Sequence, residues 1–417
     1  MKTSRELNKM QKKNKKISYI LSQFPENYET FILREIIELK KNKINLELFS
    51  LKKCKDKVIH PQAQEFIKQT HYSSLLSFNI MKALFYFIWN KPIKCMRLVH
   101  YLIRLNFSSL EFLIKSLAIV PISLFYAKLM RDLHITHIHA HWATIPTTSA
   151  VIVSRILGIP FSFTAHAWDI FLTNPMLKEK VLCAEFVATC TGYNKNYLDS
   201  LLDFRENEKI FLNYHGIDFD TLPRTKKDID DKLIFSIGRL CEQKGFPYLI
   251  EACAILRDKG HQFRCVIIGE GPDRNALTSQ IDELGLQECV FLDGMKPQSY
   301  IFEMFNKARM FVLPCVISKN GDRDGIPNVI IESLAMRTPV ISTTVSGIPE
   351  IIINHVTGIA VEPRNSVQLA ETIIKFINDP KEAEVYASNG RKLVEEKFDI
   401  KKNIRELVSI FINRANI

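Results

Sequence analysis

No two of the nine cysteines stand as a CxxC pair, and their number is odd, which speaks against both a disulfide framework and a zinc knuckle. Such thiols suit a reducing cytoplasm. No apolar run supplies the ~20 nearly uninterrupted residues of a spanning helix. The most apolar stretch, SLEFLIKSLAIVPISLFYAKLM at 109–130, is broken by Glu111, Lys115 and Pro121, and no transmembrane segment is expected. The N-terminus is polar and lysine-rich through Lys16, and the ISYIL that follows is too short for a signal core, so export is not expected. No short-period repeat, low-complexity tract or nucleic-acid recognition motif is present, and nucleic acid is not an expected partner.

A chain of 417 residues is long enough for two domains with a sizeable core each. Charge is unevenly divided between its halves. Residues 1–213 hold 30 Lys+Arg against 17 Asp+Glu, whereas 214–417 hold 26 against 28. Much of the excess lies before residue 100 and runs into SFNIMKALFYFIWNKPIKCMRLVHYLIRLNF at 77–107, where cations alternate with aromatic and aliphatic residues. That composition fits basic amphipathic helices on an anionic membrane surface, or a basic solvated face of ordinary helices.

Short apolar runs ending in turn residues alternate with helical patterns, as in parallel β/α units. KISYILSQF, INLELFSLK, THIHAHWA, PFSFTAHA, FVATCTG and EKIFLNYHGID are the predicted strands of the first half. Residues 218–231, polar and aperiodic, are the predicted linker. KLIFSIGRL, FRCVIIGEG, VFLDG, ARMFVLPC and GIAVEP then repeat the pattern. The expected fold is α/β, with two doubly wound Rossmann-like lobes facing across a cleft. The first lobe covers 1–217 and includes the basic, aromatic helical excursion, and the second covers 232–386. A tail at 387–417, one long helical pattern, crosses back to the first lobe. Ligands of such sheets lie at the carboxyl ends of the strands.

GEGPDR at 269–274 follows a strand but has Arg274 where a dinucleotide fingerprint needs its third glycine, so it predicts a tight strand-to-helix turn rather than an NAD site. In SIGRLCEQKG, Gly238 lets the chain turn, and Arg239 and Lys244 follow as a fork and a point charge suited to a diphosphate, unless they form a solvated basic turn. His166 in FTAHAWDIF stands at a strand's carboxyl end with Asp169 three positions on. His137, His139 and His141 share one face of a strand; with no carboxylate or cysteine pattern nearby they read as structural, and no metal site is expected. In DGIPNVIIESLAMRTPVISTTVSGIPE at 324–350, Gly325 frees the backbone, Pro327 suits a first helical position, and the helix start offers N–H groups to an anion. Asp324 can then accept from sugar hydroxyls and Glu332 from a ribose diol; the alternative is a plain cap and a solvent-facing acid.

GRLCEQKG, the 324–350 stretch and TGIAVEP together resemble the donor-binding half of family 4 glycosyltransferases, which have the GT-B fold and two acidic residues separated by seven intervening positions. Asp324 and Glu332 fit that spacing, with Asp in place of the commoner Glu. FTAHAWDIF, YHGID and SQFPENYETFILREI extend the resemblance to nearly the whole chain, towards bacterial exopolysaccharide and lipid-linked oligosaccharide members. The resemblance implies an acceptor-binding first lobe and a nucleotide-sugar-binding second lobe. Arg239 and Lys244 would meet the donor diphosphate, Glu332 the ribose and Asp324 the transferred sugar. The amides of Ile326, Pro327's neighbour Asn328 and the Gly325 turn would lie near phosphate or sugar, with His166 beside the reacting centre. It also implies retention of configuration, no bound metal or cofactor, and a lipid-linked glycan acceptor on the cytoplasmic face. PENYETF stands where many relatives have a glycine-rich loop. A catalytically silent nucleotide-sugar binder and an NAD(P) oxidoreductase are the alternatives.

Overall fold

The computed structural model describes residues 15–26, 29–54, 61–72, 77–202, 207–223 and 228–415. The first sheet has seven strands: β1 (Ile17–Phe24), β2 (Leu46–Lys53), β3 (Thr70–Tyr72), β4 (His137–His141), β5 (Phe161–Ala165), β6 (Val187–Thr189) and β7 (Ile210–Leu212). Their order is β3-β2-β1-β4-β5-β6-β7, and every neighbouring pair is parallel. The second sheet has six: β8 (Asp230–Ile237), β9 (Arg264–Ile268), β10 (Val290–Leu292), β11 (Ala308–Val312), β12 (Val340–Thr343) and β13 (Ile359–Val361), in the order β10-β9-β8-β11-β12-β13. In both, the chain starts near the middle and winds outward to each side, the doubly wound pattern. β3 escaped the sequence reading because its residues, Thr70–Tyr72, form no apolar run.

Two compact units result. The first comprises the described residues up to Cys190, Lys195–Asn213 and those from Ile400 on; the second comprises Thr191–Asn194 and Tyr214–Asp399. Of the predicted linker, 224–227 lie outside the described residues, as do Asn27 and Tyr28 of PENYETF.

The strand HIHAH is buried throughout because it lies between β1 and β5. Ile138 and Ala140 join a core with Val151 and Ile152 of α1 (Ile145–Leu157). The histidines turn to the opposite face, against Tyr19, Phe186 and Phe411. Phe411 comes from the end of the chain. The tail, expected as one helix, is two: Pro380–Lys397 ends at the cap residue Phe398, and Ile400–Arg414 starts a new helix in the first unit. Ile400, Ile404, Leu407 and Phe411 recur at helical spacing, forming the stripe that the second helix buries.

Three helices of the first unit bury very little. α2 (Phe78–Asn90) is capped by Ser77, whose side chain accepts from Ile80 N at 3.3 Å, and buries only Ile80, Ala83 and Phe87. α3 (Pro92–Asn106) opens on a proline and buries Leu98, Leu102 and Asn106; α4 (Leu110–Ala118) buries Ser116. By length and composition Leu110–Asp132 would suffice to cross a membrane. The chain breaks at Ile119, however, and α5 (Val120–Asp132) packs Ile122, Leu124, Tyr126 and Met130 into the first unit's core, where Tyr126 donates to Ser50 O at 2.6 Å.

Candidate active site

In the second unit, β8 ends at Ile237 and the chain turns through Gly238, whose N–H donates to Ile268 O at 3.0 Å. Gly269, at the end of β9, has φ +144°, and a Cβ there would collide with the Gly238 carbonyl oxygen. Only glycine fits that approach. A Cβ at Gly271 would meet the Leu240 carbonyl in the same way. The glycines of GEG are thus explained by the closeness of two backbones, and Arg274, in the third-glycine position, pairs with Glu270 at 2.8 Å. No feature of the dinucleotide reading is left over.

The turn after Gly238 folds into a short 3-10 helix at Glu242–Lys244, closed by Gly245 at φ +69°. The Lys244 stem lies over Gly238, where a Cβ would stand 3.3 Å from its Cδ. The Lys244 ammonium donates to both carboxylate oxygens of Asp324, at 2.9 and 2.8 Å, across 80 residues of sequence. Both side chains are largely sheltered, at 15% and 22% exposure. Burial opposes the charge on Lys244, but the Asp324 carboxylate outweighs it and lifts the ammonium above its ordinary range. Cys315 donates to Asp324 Oδ2 at 3.6 Å; burial, then the Asp324 charge, push its thiol up. Asp322 is raised too, by burial and by Asp324, against the field of Lys244 and the exposed Arg239.

Asp324, expected to stand open to a sugar, is therefore tied to a cation expected to hold phosphate, because the 314–327 loop is threaded back over the 241–245 turn; Val316 N donates to Gln243 O at 3.0 Å. Pro327, placed by the sequence at the first helical position, is instead the cap residue of α6 (Asn328–Ala335), where its carbonyl accepts from Ile330 N at 2.9 Å. Its ring is buried, and Gly325, Ile326 and Asn328 flank it half-buried. The first-turn N–H groups of a helix have no intrahelical acceptor, so this end remains suited to an anion. Glu332, half-buried, lies one turn further along α6, among the buried Ile330, Ile331 and Leu334.

In the first unit, His166 follows β5 and is 4% exposed, with ring centroids 4.2 Å from Trp142 and 5.1 Å from Phe31. Asp169 serves its backbone: the carboxylate accepts from His166 N at 2.8 Å and also from Ala143 N. The β4 histidines do share one face, as expected, but a carboxylate does stand beside them. Glu35 accepts from Tyr19 Oη at 2.7 Å and pairs with His141 Nε2 at 3.0 Å. With His139 they make a group whose ligand atoms lie within 4.8 Å of one another. Those atoms already have partners, since His139 contacts Ser162 Oγ at 2.8 Å and Thr164 Oγ1 at 3.0 Å. Burial drives His137 to about 3 and keeps His139 neutral as well.

A buried neutral histidine makes folding acid-sensitive. Unfolded, His137 takes a proton near pH 6.5; folded, it does so only near 3, so its contribution is present above 6.5 and lost as pH falls. In His137→Phe the new ring can take the place stacked on Phe186. Relative to the native chain, the variant should gain roughly 1.4 kcal/mol per pH unit between pH 6.5 and 5. The difference between the two denaturation curves isolates this group, and a difference independent of pH contradicts it.

Two doubly wound parallel units of this kind are the architecture of the GT-B fold. The sequence profile "Glycosyl transferases group 1" matches residues 219–393. The chain is 34% identical over 177 residues to the amylovoran biosynthesis glycosyltransferase AmsK of Erwinia amylovora, covering 42% of this chain and 44% of that protein. It is 30% identical over 260 residues to the capsular polysaccharide biosynthesis glycosyltransferase CapM of Staphylococcus aureus, covering 60% of this chain and 67% of CapM. The chain spans about half the length of other curated relatives it matches. The crystal structure of Anabaena Alr3699/HepE in complex with UDP superposes with a TM-score of 0.71 over 95% of this chain and all of that one, at 14% identity. The chain belongs to the group 1 glycosyl transferases, on the branch of bacterial polysaccharide biosynthesis.

Proposed function

We propose that the chain moves a hexose from a nucleotide diphosphate sugar to a hydroxyl of a lipid-linked or cell-surface glycan precursor, with retention of configuration and without a bound metal. The Lys244–Asp324 pair at the strand end of β8, in the loop that leads into α6, carries this reading. Arg239 and Lys244 hold the diphosphate, the Ile326 and Asn328 amides face phosphate or sugar, Asp324 binds the sugar and Glu332 the ribose diol. In the transfer, the C1–O bond to the diphosphate breaks, the acceptor oxygen bonds C1 from the same face, and its proton passes to the departing diphosphate. His166 lies beside the acceptor. That AmsK and CapM are named for polysaccharide biosynthesis, and that HepE was crystallised with UDP, support the donor and acceptor classes.

Incubation with UDP-, GDP- and ADP-hexoses and membrane extract in EDTA should yield a product with the donor's anomeric configuration by NMR. Inverted product, or transfer that requires added metal, would overturn the mechanism. Donor binding with neither transfer nor donor hydrolysis would favour the silent sensor.

The acceptor reading includes a cytoplasmic, anionic membrane surface. Of the 22 exposed large apolar residues among those described, twelve lie on or between α2, α3 and α4, among them Trp89 at 87% and Phe107 at 83% exposure. Lys82, Lys94, Arg97, Arg104 and Lys115 are exposed among them, and the single acid, Glu111, pairs with Lys115. Apolar burial and about 1 kcal/mol per cation near anionic lipid would act together there. Phosphatidylglycerol vesicles should sediment the protein at low salt and less at high salt. Trp89→Glu with Phe107→Glu should weaken that binding at least tenfold; unchanged sedimentation would reject the surface.

A further inference from the structure

At the carboxyl ends of β1, β4 and β5, adjacent strands of the first sheet, aromatic rings gather around one acid. Trp142 directly follows β4 in the left-handed region, φ 77°, held there by its N–H donating to Thr164 O at 3.0 Å. Backbone strain at a bulky residue persists only where the surroundings enforce it. Here they do so through two buried charges. The Asp169 carboxylate ties Ala143 N to His166 N, while the Lys180 ammonium, 2% exposed, donates to Ala143 O at 2.7 Å and Thr144 O at 2.9 Å. All four contacts are to backbone: those of Asp169 join the loop after β4 to the loop after β5, and those of Lys180 hold the first of these loops from the helix Leu177–Cys183.

The clamp holds Trp142 against His166 and sets Trp168 nearly perpendicular to it, with centroids 6.1 Å apart. Trp168 is 47% exposed, unusual for a large ring on a clamped loop. The Glu29 carboxylate, from the residue preceding the helix Thr30–Lys41, is near enough to Trp142, Glu26, His141 and Asp169 to feel each of them, and the buried Trp142 indole N–H has no hydrogen-bond partner among the described residues. Burial raises Glu29 to about 7; Glu26 and Asp169 add to the rise, and Trp142 and His141 oppose it. An acid in this state binds a hydroxyl in either form, as acceptor when ionised and as donor when protonated. Phosphate is a poor match, because Lys180 is consumed by carbonyls and the remaining charges are negative.

We propose that Glu29, Trp142 and Trp168 form a saccharide seat in the first unit, where the C–H face of a sugar ring packs on the indoles and a hydroxyl binds the Glu29 carboxyl. As the place of the acceptor sugar, the seat rests on the glycosyltransferase reading; as a sugar site, it is testable alone. The chain has three tryptophans, so in Trp89→Phe the remaining indole emission comes from Trp142 and Trp168. Titration of that protein with methyl α- and β-hexopyranosides should give a saturable change for at least one epimer. Glu29→Gln should weaken it at least tenfold and move its pH dependence, and Trp168→Ala, at an exposed position, should abolish it. Nucleotide binding should stay unchanged in both variants. Emission that no hexoside alters, or equal affinity in Glu29→Gln, overturns the seat. Hexoside binding in a protein that binds no nucleotide would keep the seat and remove the transferase reading instead.

Discussion

Lys244→Ala should lower sugar transfer by roughly 10²–10³-fold, the usual cost of removing one preorganised group that meets developing charge. The pair with Asp324 makes the result diagnostic. Alone, the substitution strands a sheltered carboxylate and should cost roughly 1.5–3 kcal/mol of stability. Lys244→Ala with Asp324→Ala should recover much of that stability, since no unpaired charge remains, while transfer stays lost. If the double variant regained both, Lys244 would be a structural partner of Asp324 and nothing more. If Lys244→Ala transferred at a near-native rate, the diphosphate would have to bind elsewhere.

Gly269→Ala should damage the second unit at least as severely, though by another route. Its φ of +144° is open essentially only to glycine, and the added methyl would meet the Gly238 carbonyl oxygen, at the turn that bears Arg239 and Lys244. Strain and forced backbone movement together place the loss at about 4 kcal/mol or more, among the exceptional single substitutions. Low soluble yield and an early unfolding transition are the expected result. A variant within about 1 kcal/mol of the native chain would mean that the β8 and β9 turns can part freely, contrary to the close packing described.

The two parallel sheets were legible because buried strands of four to eight apolar residues stop at glycine and polar turns, as KLIFSIGRL and FRCVIIGEG do. The residues proposed to hold the donor, from Gly238 to Glu332, stand out in the sequence as a set because their local spacings carry chemistry. Their pairing was not. Nothing in the separate segments shows that Lys244 and Asp324 neutralise each other, a contact made by loop threading across 80 residues. Glu35 escaped notice beside His141 for the same reason, with 106 residues between them. The break at Phe398 was also hidden, because the helical pattern resumes in register for a different unit without a proline or glycine between. Glu29 and Lys180 look like ordinary helix-start and helix-surface charges until the loops they serve are seen in space.

The most direct measurement is thermal stability of the native chain and of Glu332→Ala with UDP, GDP, ADP and their hexose conjugates, each with and without EDTA, beside NAD and NADP. One nucleotide series should stabilise the native protein equally in EDTA, by about 2.7 kcal/mol at a hundred times its dissociation constant. Glu332→Ala should lose most of that shift. Stabilisation by the dinucleotides alone, or an undiminished shift in Glu332→Ala, would contradict the assignment of a nucleotide-sugar site to the second unit.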